Sequence, residues 1–130
     1  MSAFLTKLML EDDGDGLTMT LAADLLYDSH TLGRIVTVEK GFVTDFASIP
    51  KFLWNILPQH GHYDRAAVVH DKLYRAGGVT QLQADTVLRE AMEICGCSWW
   101  ERFVIYRGVR LGGHIPFTKY RDAEKAQAAA

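Results

Sequence analysis

The stretch that decides the fold of this chain is Asp64-Arg65-Ala66-Ala67-Val68-Val69-His70-Asp71-Lys72-Leu73-Tyr74. Its apolar residues recur at steps of three and four, which predicts an amphipathic helix that ends before the glycine pair at 77–78. The capping-box pattern of Thr80 and Gln83 predicts a second helix that reaches about Ile94. Because the connection between them is short, we expect these two helices to pack as an antiparallel pair.

The sequence before these helices has the pattern of β-strands. Apolar residues alternate loosely over 5–10 and 17–27, and the acidic, glycine-containing run 11–16 between them predicts a hairpin turn. The β-branched run at 34–38 predicts another strand, which 41–44 extends. The first third of the chain is therefore predicted to form a small antiparallel sheet of three or four strands.

The remainder completes a predicted α+β fold. A capping box formed by Ser98 and Glu101 predicts a third helix that runs to about Arg110. Residues 1–118 are predicted to form a single α+β domain, and the charged, alanine-rich residues 119–130 a frayed tail. Residues 51–57 could form one or two further helical turns.

Composition restricts the classes of function. The formal net charge of -2 and the absence of a Lys/Arg-rich run argue against nucleic acid as a partner. The chain has no signal-peptide pattern and no run of about 18 apolar residues, so no transmembrane segment is predicted. Cys95 and Cys97 are too close together for a useful disulfide and are predicted to be free thiols in a reducing compartment.

The candidate chemistry lies on the two predicted helices. His70 falls at the edge of the apolar stripe, and Asp71 lies about 100° further round the helix, so each side chain meets different neighbours. A neutral imidazole can take a proton from water when a carboxylate fixes its tautomer and a cation holds the developing oxyanion. A buried His-Asp pair can equally serve only to tie two helices together.

The pattern Asp64-x-Ala66-Ala67-x-x-His70-Asp71-x-x-Tyr74, followed by Asp85, resembles the catalytic helix pair of secretory phospholipase A2, and is closest to its short bacterial and fungal members. The resemblance implies that His70 is the general base and that Asp85 orients it. It also implies that Tyr74 hydrogen-bonds Asp85 and that Asp71 binds a divalent cation, with Ca²⁺ favoured.

Two features depart from that family. Ala66 and Leu73 stand where cysteines are expected, and no glycine-rich calcium loop precedes the helix. The Thr-Asp-Phe-Ala-Ser-Ile-Pro segment at 44–50 occupies the upstream place, and Asp45 could supply an oxygen ligand from it. Asp71 and Asp45 are therefore the predicted metal ligands.

Residues 41–113 as a whole resemble an uncharacterised domain family that is common in tailed bacteriophages and prophages. The similarity includes the segment at 44–50, the helix that contains His70, and the ending at 106–113. It implies a phage or prophage origin, synthesis in the host cytoplasm and other virion proteins as partners. It allows incorporation into the virion and assigns no reaction.

Two functions therefore stay open. The first is a small metal-dependent hydrolase of lipid esters, with the host envelope as its substrate. The second is a non-catalytic component of the virion or its assembly, in the tail, baseplate or connector, in which the His-Asp cluster is structural.

Other side chains allow further interpretations. His60 and His62 could add nitrogen ligands for Zn²⁺ in a phosphohydrolase of the His-Asp type, but the β-rich first third argues against that all-helical fold. Trp54, Trp99 and Trp100 are expected in the core or at contacts, and one of them could be exposed for a partner. Arg107 and Arg110 could pair with the acidic residues, but a solvated helix face is the expected position.

Overall fold

The computed structural model describes residues 2–16, 18–44 and 63–129. Its first part contains six short strands: β1 (Ala3–Phe4), β2 (Leu10–Asp12), β3 (Met19–Leu21), β4 (Leu25–Ser29), β5 (Arg34–Val38) and β6 (Val43–Thr44). They form two antiparallel three-stranded sheets, in the orders β1-β4-β5 and β2-β3-β6. The predicted hairpin is confirmed by the pairing of β2 with β3, although the strands divide between two sheets where one was expected.

The sheet β1-β4-β5 faces the helices with one side. Leu25, Tyr27 and Ser29 alternate inward along β4, and Val36 and Val38 do so along β5. This period of two is the expected pattern of a sheet that packs on the core with one face only. The sheet thereby supplies a half-buried platform for the helices.

Four helices follow the strands: α1 (Asp64–Ala76), α2 (Gln81–Ile94), α3 (Trp99–Gly112) and α4 (His114–Ala129). The predicted capping boxes of Thr80 and Ser98 are both present and begin α2 and α3. Gly77 ends α1 with φ of 78°, a conformation that favours glycine. Among the described helices, none has the length and apolar character that a membrane crossing requires.

The fourth helix is a difference from the sequence prediction, which placed a frayed tail over 119–130. Backbone hydrogen bonds run through the α3–α4 junction, since the Gly113 amide donates to Val109 and the Gly113 carbonyl accepts from Phe117. The tail is rich in alanine, which has the highest intrinsic helix propensity, but it carries no capping motif that would reveal a helix in the sequence. Residues 51–57 and Trp54 lie outside the described part of the chain.

Helices α1 and α2 pack together through small and branched side chains, which confirms that these two helices form a pair. The buried apolar residues of this contact are Ala66, Ala67, Val68, Val69 and Leu73 on α1, and Ala84, Val87, Leu88, Ala91 and Met92 on α2. Alanines on both helices let the two backbones approach closely. The polar side chains of His70, Asp71 and Asp85 lie within this apolar surround and have no exposed surface.

Glu90 joins α2 to the sheet β1-β4-β5. Its carboxylate accepts hydrogen bonds from the hydroxyls of Tyr27 (2.6 Å), Ser29 (3.0 Å) and Thr31 (2.6 Å), and from the Thr31 amide (2.9 Å). Burial raises the pKa of Glu90, but hydrogen bonds from Thr31 and Tyr27 outweigh burial and leave this pKa below its ordinary value. Glu90 is thus ionised at neutral pH and links the two layers.

Replacing Glu90 tests this link. We expect Glu90→Ala to lower the free energy of unfolding by about 1–3 kcal/mol, because four donors lose their acceptor. Urea denaturation followed by circular dichroism measures the change. Glu93→Ala, an exposed glutamate of the same helix, is the control and should stay near wild type. Equal stability of the two variants would show that Glu90 is not a structural tie.

Candidate functional site

His70 and Asp85 meet between α1 and α2. The Nε2 atom of His70 lies 2.7 Å from Oδ1 of Asp85, and neither side chain has exposed surface. The predicted role of Asp85 in orienting His70 requires such a contact. The spacing along α1 and α2 brings the pair together because both residues lie on the faces where these helices touch.

Two further side chains bind the same carboxylate. The hydroxyl of Tyr74 donates to Oδ1 of Asp85 at 2.6 Å, as the resemblance implied. Nη1 of Arg110 donates to Oδ2 at 2.8 Å. Of the two alternatives for Arg110, a solvated helix face and a pair with an acidic residue, the structure shows the second. A buried carboxylate requires a compensating charge, but the sequence did not show which arginine of α3 faces α2.

These contacts set the protonation of the site. Burial raises the pKa of Asp85, but hydrogen bonds from His70, Tyr74 and Arg110 outweigh burial and hold this pKa below its ordinary value. Burial and the hydrogen bond to Asp85 raise the pKa of Tyr74. Asp85 is therefore ionised and Tyr74 protonated at neutral pH. An ionised Asp85 favours the tautomer in which the Nε2 atom of His70 carries the proton.

Asp71 points away from this cluster. One carboxylate oxygen accepts from the hydroxyl of Thr44 at 2.7 Å, and the other from Nε of Arg75 at 3.1 Å. These contacts of Asp71 differ from the contact that His70 makes with Asp85. Asp71 connects the end of β6 to the last turn of α1.

The predicted metal role of Asp71 stays a prediction. Ca²⁺ takes six to eight oxygen ligands, and a carboxylate oxygen that accepts one hydrogen bond can still bind a cation. The Arg75 guanidinium on Oδ1 opposes a second positive charge at that oxygen. Within the ranges 2–16, 18–44 and 63–129, no group of three His, Cys, Asp or Glu side chains could hold a metal ion. Asp45, His60 and His62 lie outside those ranges, so their predicted metal roles stay predictions.

Helix α4 and the junction before it form one wall of the site. The ring of Phe117 packs edge-on against Tyr74, with centroids 5.2 Å apart. A Cβ atom at Gly113 would lie 2.5 Å from the Tyr74 hydroxyl, so only glycine leaves room for the phenol at this place. Arg121 donates to the Tyr74 carbonyl. In the sequence, the Gly112-Gly113 pair signalled only the end of a helix, and Phe117 and Arg121 gave no signal.

The two cysteines take no part in the cluster. Both are free, and Cys97 is buried. Burial raises the pKa of the Cys97 thiol to about 12, so this thiol is protonated at neutral pH. The prediction that both are free thiols agrees with the structure.

Residues 19–109 match a protein family described as Protein of unknown function (DUF1353). The chain belongs to the DUF1353 family. This match confirms the expected membership of an uncharacterised domain family, whereas the phage origin and the resemblance to phospholipase A2 stay predictions. The DUF1353 match includes His70, Tyr74 and Asp85 and ends just before Arg110. No curated protein and no solved structure matches the chain.

The charge of Asp85 should contribute measurably to stability. Folding lowers the pKa of Asp85, so its charge stabilises the fold above about pH 3.9, which is the pKa of this carboxyl in the unfolded chain. This stabilisation is lost as the pH falls through the lower pKa of the folded state. We expect Asp85→Asn to lower the free energy of unfolding at pH 7 by about 3 kcal/mol or more, since Arg110 loses its partner. The difference in free energy of unfolding between wild type and Asp85→Asn should become smaller below about pH 4.

Urea denaturation across this pH range measures the effect. Asp122→Asn, an exposed aspartate of α4, is the control and should follow the wild-type curve. A wild-type advantage over Asp85→Asn that stays constant down to the acid limit would contradict the proposed ionised state of Asp85.

Proposed function

We propose that this chain is a small hydrolase in which His70 activates water for attack on an ester. The observation that carries the proposal is the 2.7 Å contact between Nε2 of His70 and Oδ1 of Asp85. An ionised carboxylate on one imidazole nitrogen directs the lone pair to the other nitrogen, which is the arrangement that a general base needs. The resemblance to phospholipase A2 supports phospholipid esters as the substrate class.

The reaction would follow the usual course of ester hydrolysis. Nδ1 of His70 takes a proton from water while the water oxygen bonds to the acyl carbon. The resulting tetrahedral intermediate breaks its bond to the alcohol oxygen, and the imidazolium returns the proton to that leaving group. The products are a carboxylic acid and an alcohol, so atoms and charges balance.

The other side chains of the cluster would act through His70. Asp85 holds the ring and stabilises the imidazolium that forms during the reaction. Tyr74 and Arg110 keep Asp85 ionised and fixed in position, because each donates to one of its oxygens. They are positioning residues in this proposal, and no step runs through a cation at Asp71.

A second candidate is a non-catalytic role as a structural or assembly component of a virion. The observation that favours it is the complete burial of His70 and Asp85. A substrate could reach the imidazole only if the site rearranged. A fully hydrogen-bonded polar cluster within an apolar surround can also serve to fix one arrangement of three helices.

Hydrolysis of a short-chain phosphatidylcholine, measured by release of fatty acid, separates the two candidates. For the hydrolase we expect turnover by the wild type and a loss of about 100-fold or more in His70→Ala, because proton transfer to the base is removed. His114→Ala, an exposed histidine at the start of α4, is the control and should keep wild-type turnover.

Thermal unfolding of the same proteins completes the comparison. Absence of wild-type turnover on ester substrates, together with a lowered melting temperature of His70→Ala, would favour the structural role. A folded His70→Ala protein that hydrolyses the ester at the wild-type rate would refute the proposed base.

Calcium is tested separately by calorimetric titration. Because Nε of Arg75 lies 3.1 Å from Oδ1 of Asp71 and its positive charge opposes a second cation there, we expect the wild type to show no saturable binding of Ca²⁺ at millimolar concentrations. Asp71→Asn should then differ from wild type in stability alone. Saturable binding that disappears in Asp71→Asn would contradict this expectation and restore the predicted calcium site.

A further inference from the structure

Helix α3 is apolar on two sides. Ile105, Gly108 and Val109 are buried against the rest of the protein. Large apolar side chains also project from the opposite side into solvent. Their exposed fractions are 73% for Trp99, 41% for Trp100, 55% for Phe103, 76% for Leu111 and 67% for Ile115 at the start of α4. A surface helix of a globular protein normally presents polar residues on its outer side, whereas α3 presents large apolar ones.

These side chains form one continuous strip. Trp100, Phe103, Arg107 and Leu111 follow one another at steps of three and four, which places them on a single side of α3. Ile115 continues the strip, because helical hydrogen bonds run through Gly113 into α4. We call the surface of Trp99, Trp100, Phe103, Arg107, Leu111 and Ile115 the outer face of α3.

Two exposed arginines lie on or beside this face. The guanidinium of Arg107 lies 5.3 Å from the centroid of the Phe103 ring, and that of Arg89 lies 4.7 Å from the Tyr106 ring. Both are held among aromatic rings by cation–π contacts. The carboxylate of Glu101 lies at the start of α3 in the capping box with Ser98, away from Arg107 along the helix. The arginines therefore favour a partner that carries negative charge beside an apolar part.

We infer that the outer face of α3 binds the surface of a phospholipid bilayer that carries anionic headgroups. A helix that lies in the membrane interface buries Trp, Phe and Leu side chains at the boundary between headgroups and acyl chains, and its arginines meet lipid phosphates. The tryptophans suit this depth because the indole ring is apolar and its N–H group remains near water.

The observations favour a bilayer over a second copy of the chain. Three of the apolar side chains expose two thirds or more of their surface, as insertion into a soft interface requires. Two copies joined through this face would bring like charges at Arg107 and Arg89 together, whereas a bilayer of anionic lipids neutralises them.

This inference goes beyond the proposed hydrolase. Arg110 reaches from α3 to the Asp85 carboxylate, whereas Leu111 beside it is exposed, so the outer face and the cluster are formed by different side chains. Binding would hold the chain on a lipid surface whether or not His70 hydrolyses an ester. If both proposals hold, the outer face brings the site to its substrate.

Flotation with vesicles of ether-linked phospholipids tests the inference, because these lipids contain no acyl ester to hydrolyse. One set of vesicles combines phosphatidylglycerol with phosphatidylcholine, and the other contains phosphatidylcholine alone. We expect wild type to bind the anionic set at low salt, to bind the neutral set weakly, and to lose affinity as salt rises. Tryptophan emission should shift to the blue on binding.

Two matched double variants isolate the face. Phe103→Ser with Leu111→Ser removes two exposed apolar side chains of the outer face and should weaken binding by roughly tenfold or more. Leu5→Ser with Met9→Ser removes two side chains of comparable exposure (52% and 54%) from the strand region and should bind like wild type. His70→Ala should also bind like wild type, which separates this inference from the proposed catalysis.

Three results would overturn the inference. The first is the absence of wild-type binding to the anionic vesicles. The second is equal binding by the two double variants while thermal unfolding shows both to be folded. The third is self-association in sedimentation velocity that Phe103→Ser with Leu111→Ser abolishes, which would assign the face to a second copy.

Discussion

Asp85 places a negative charge among the first three helices, where no part of its side chain reaches solvent. Removing a carboxylate from water costs several kcal/mol unless donors replace the hydration shell. Three side chains supply these donors: His70 and Tyr74 from α1, and Arg110 from α3. Because each donor must meet the carboxylate within hydrogen-bonding distance, the Asp85 charge restricts how α1 and α3 can be placed around α2. Apolar side chains of these helices then pack around the Asp85 carboxylate and its three donors.

The same requirement extends to the junction between α3 and α4. Tyr74 can reach Asp85 only because no side chain projects from Gly113. Phe117 then packs edge-on against the Tyr74 ring. Helix α4 therefore closes the site, although the DUF1353 match ends at residue 109. The cluster is at once the most constrained part of the core and the part whose chemistry suits a general base. A catalytic and a structural function would place similar demands on these residues, so turnover is what distinguishes them.

Local patterns predicted much of this arrangement. Capping boxes at Thr80 and Ser98 located two helix starts, and the resemblance to phospholipase A2 implied the contact between His70 and Asp85. These signals are local because a cap or a helical stripe depends on residues at most four positions apart. Arg110 could not be chosen over Arg107 in this way. The choice depends on the rotation of α3 about its own axis, which is settled by packing against α2.

The amino-acid sequence by itself determined the α+β class, the bounds of α2 and most of α1 and α3, while the resemblance of its motif to phospholipase A2 implied the contact between His70 and Asp85. Only the tertiary structure decided the division of the strands into two sheets, the docking of α4, and the inward course of Arg110 beside the outward course of Leu111. The physical reason is that propensity and periodicity act over a few residues. Compensation of a buried charge, by contrast, depends on which distant side chains share the same small volume.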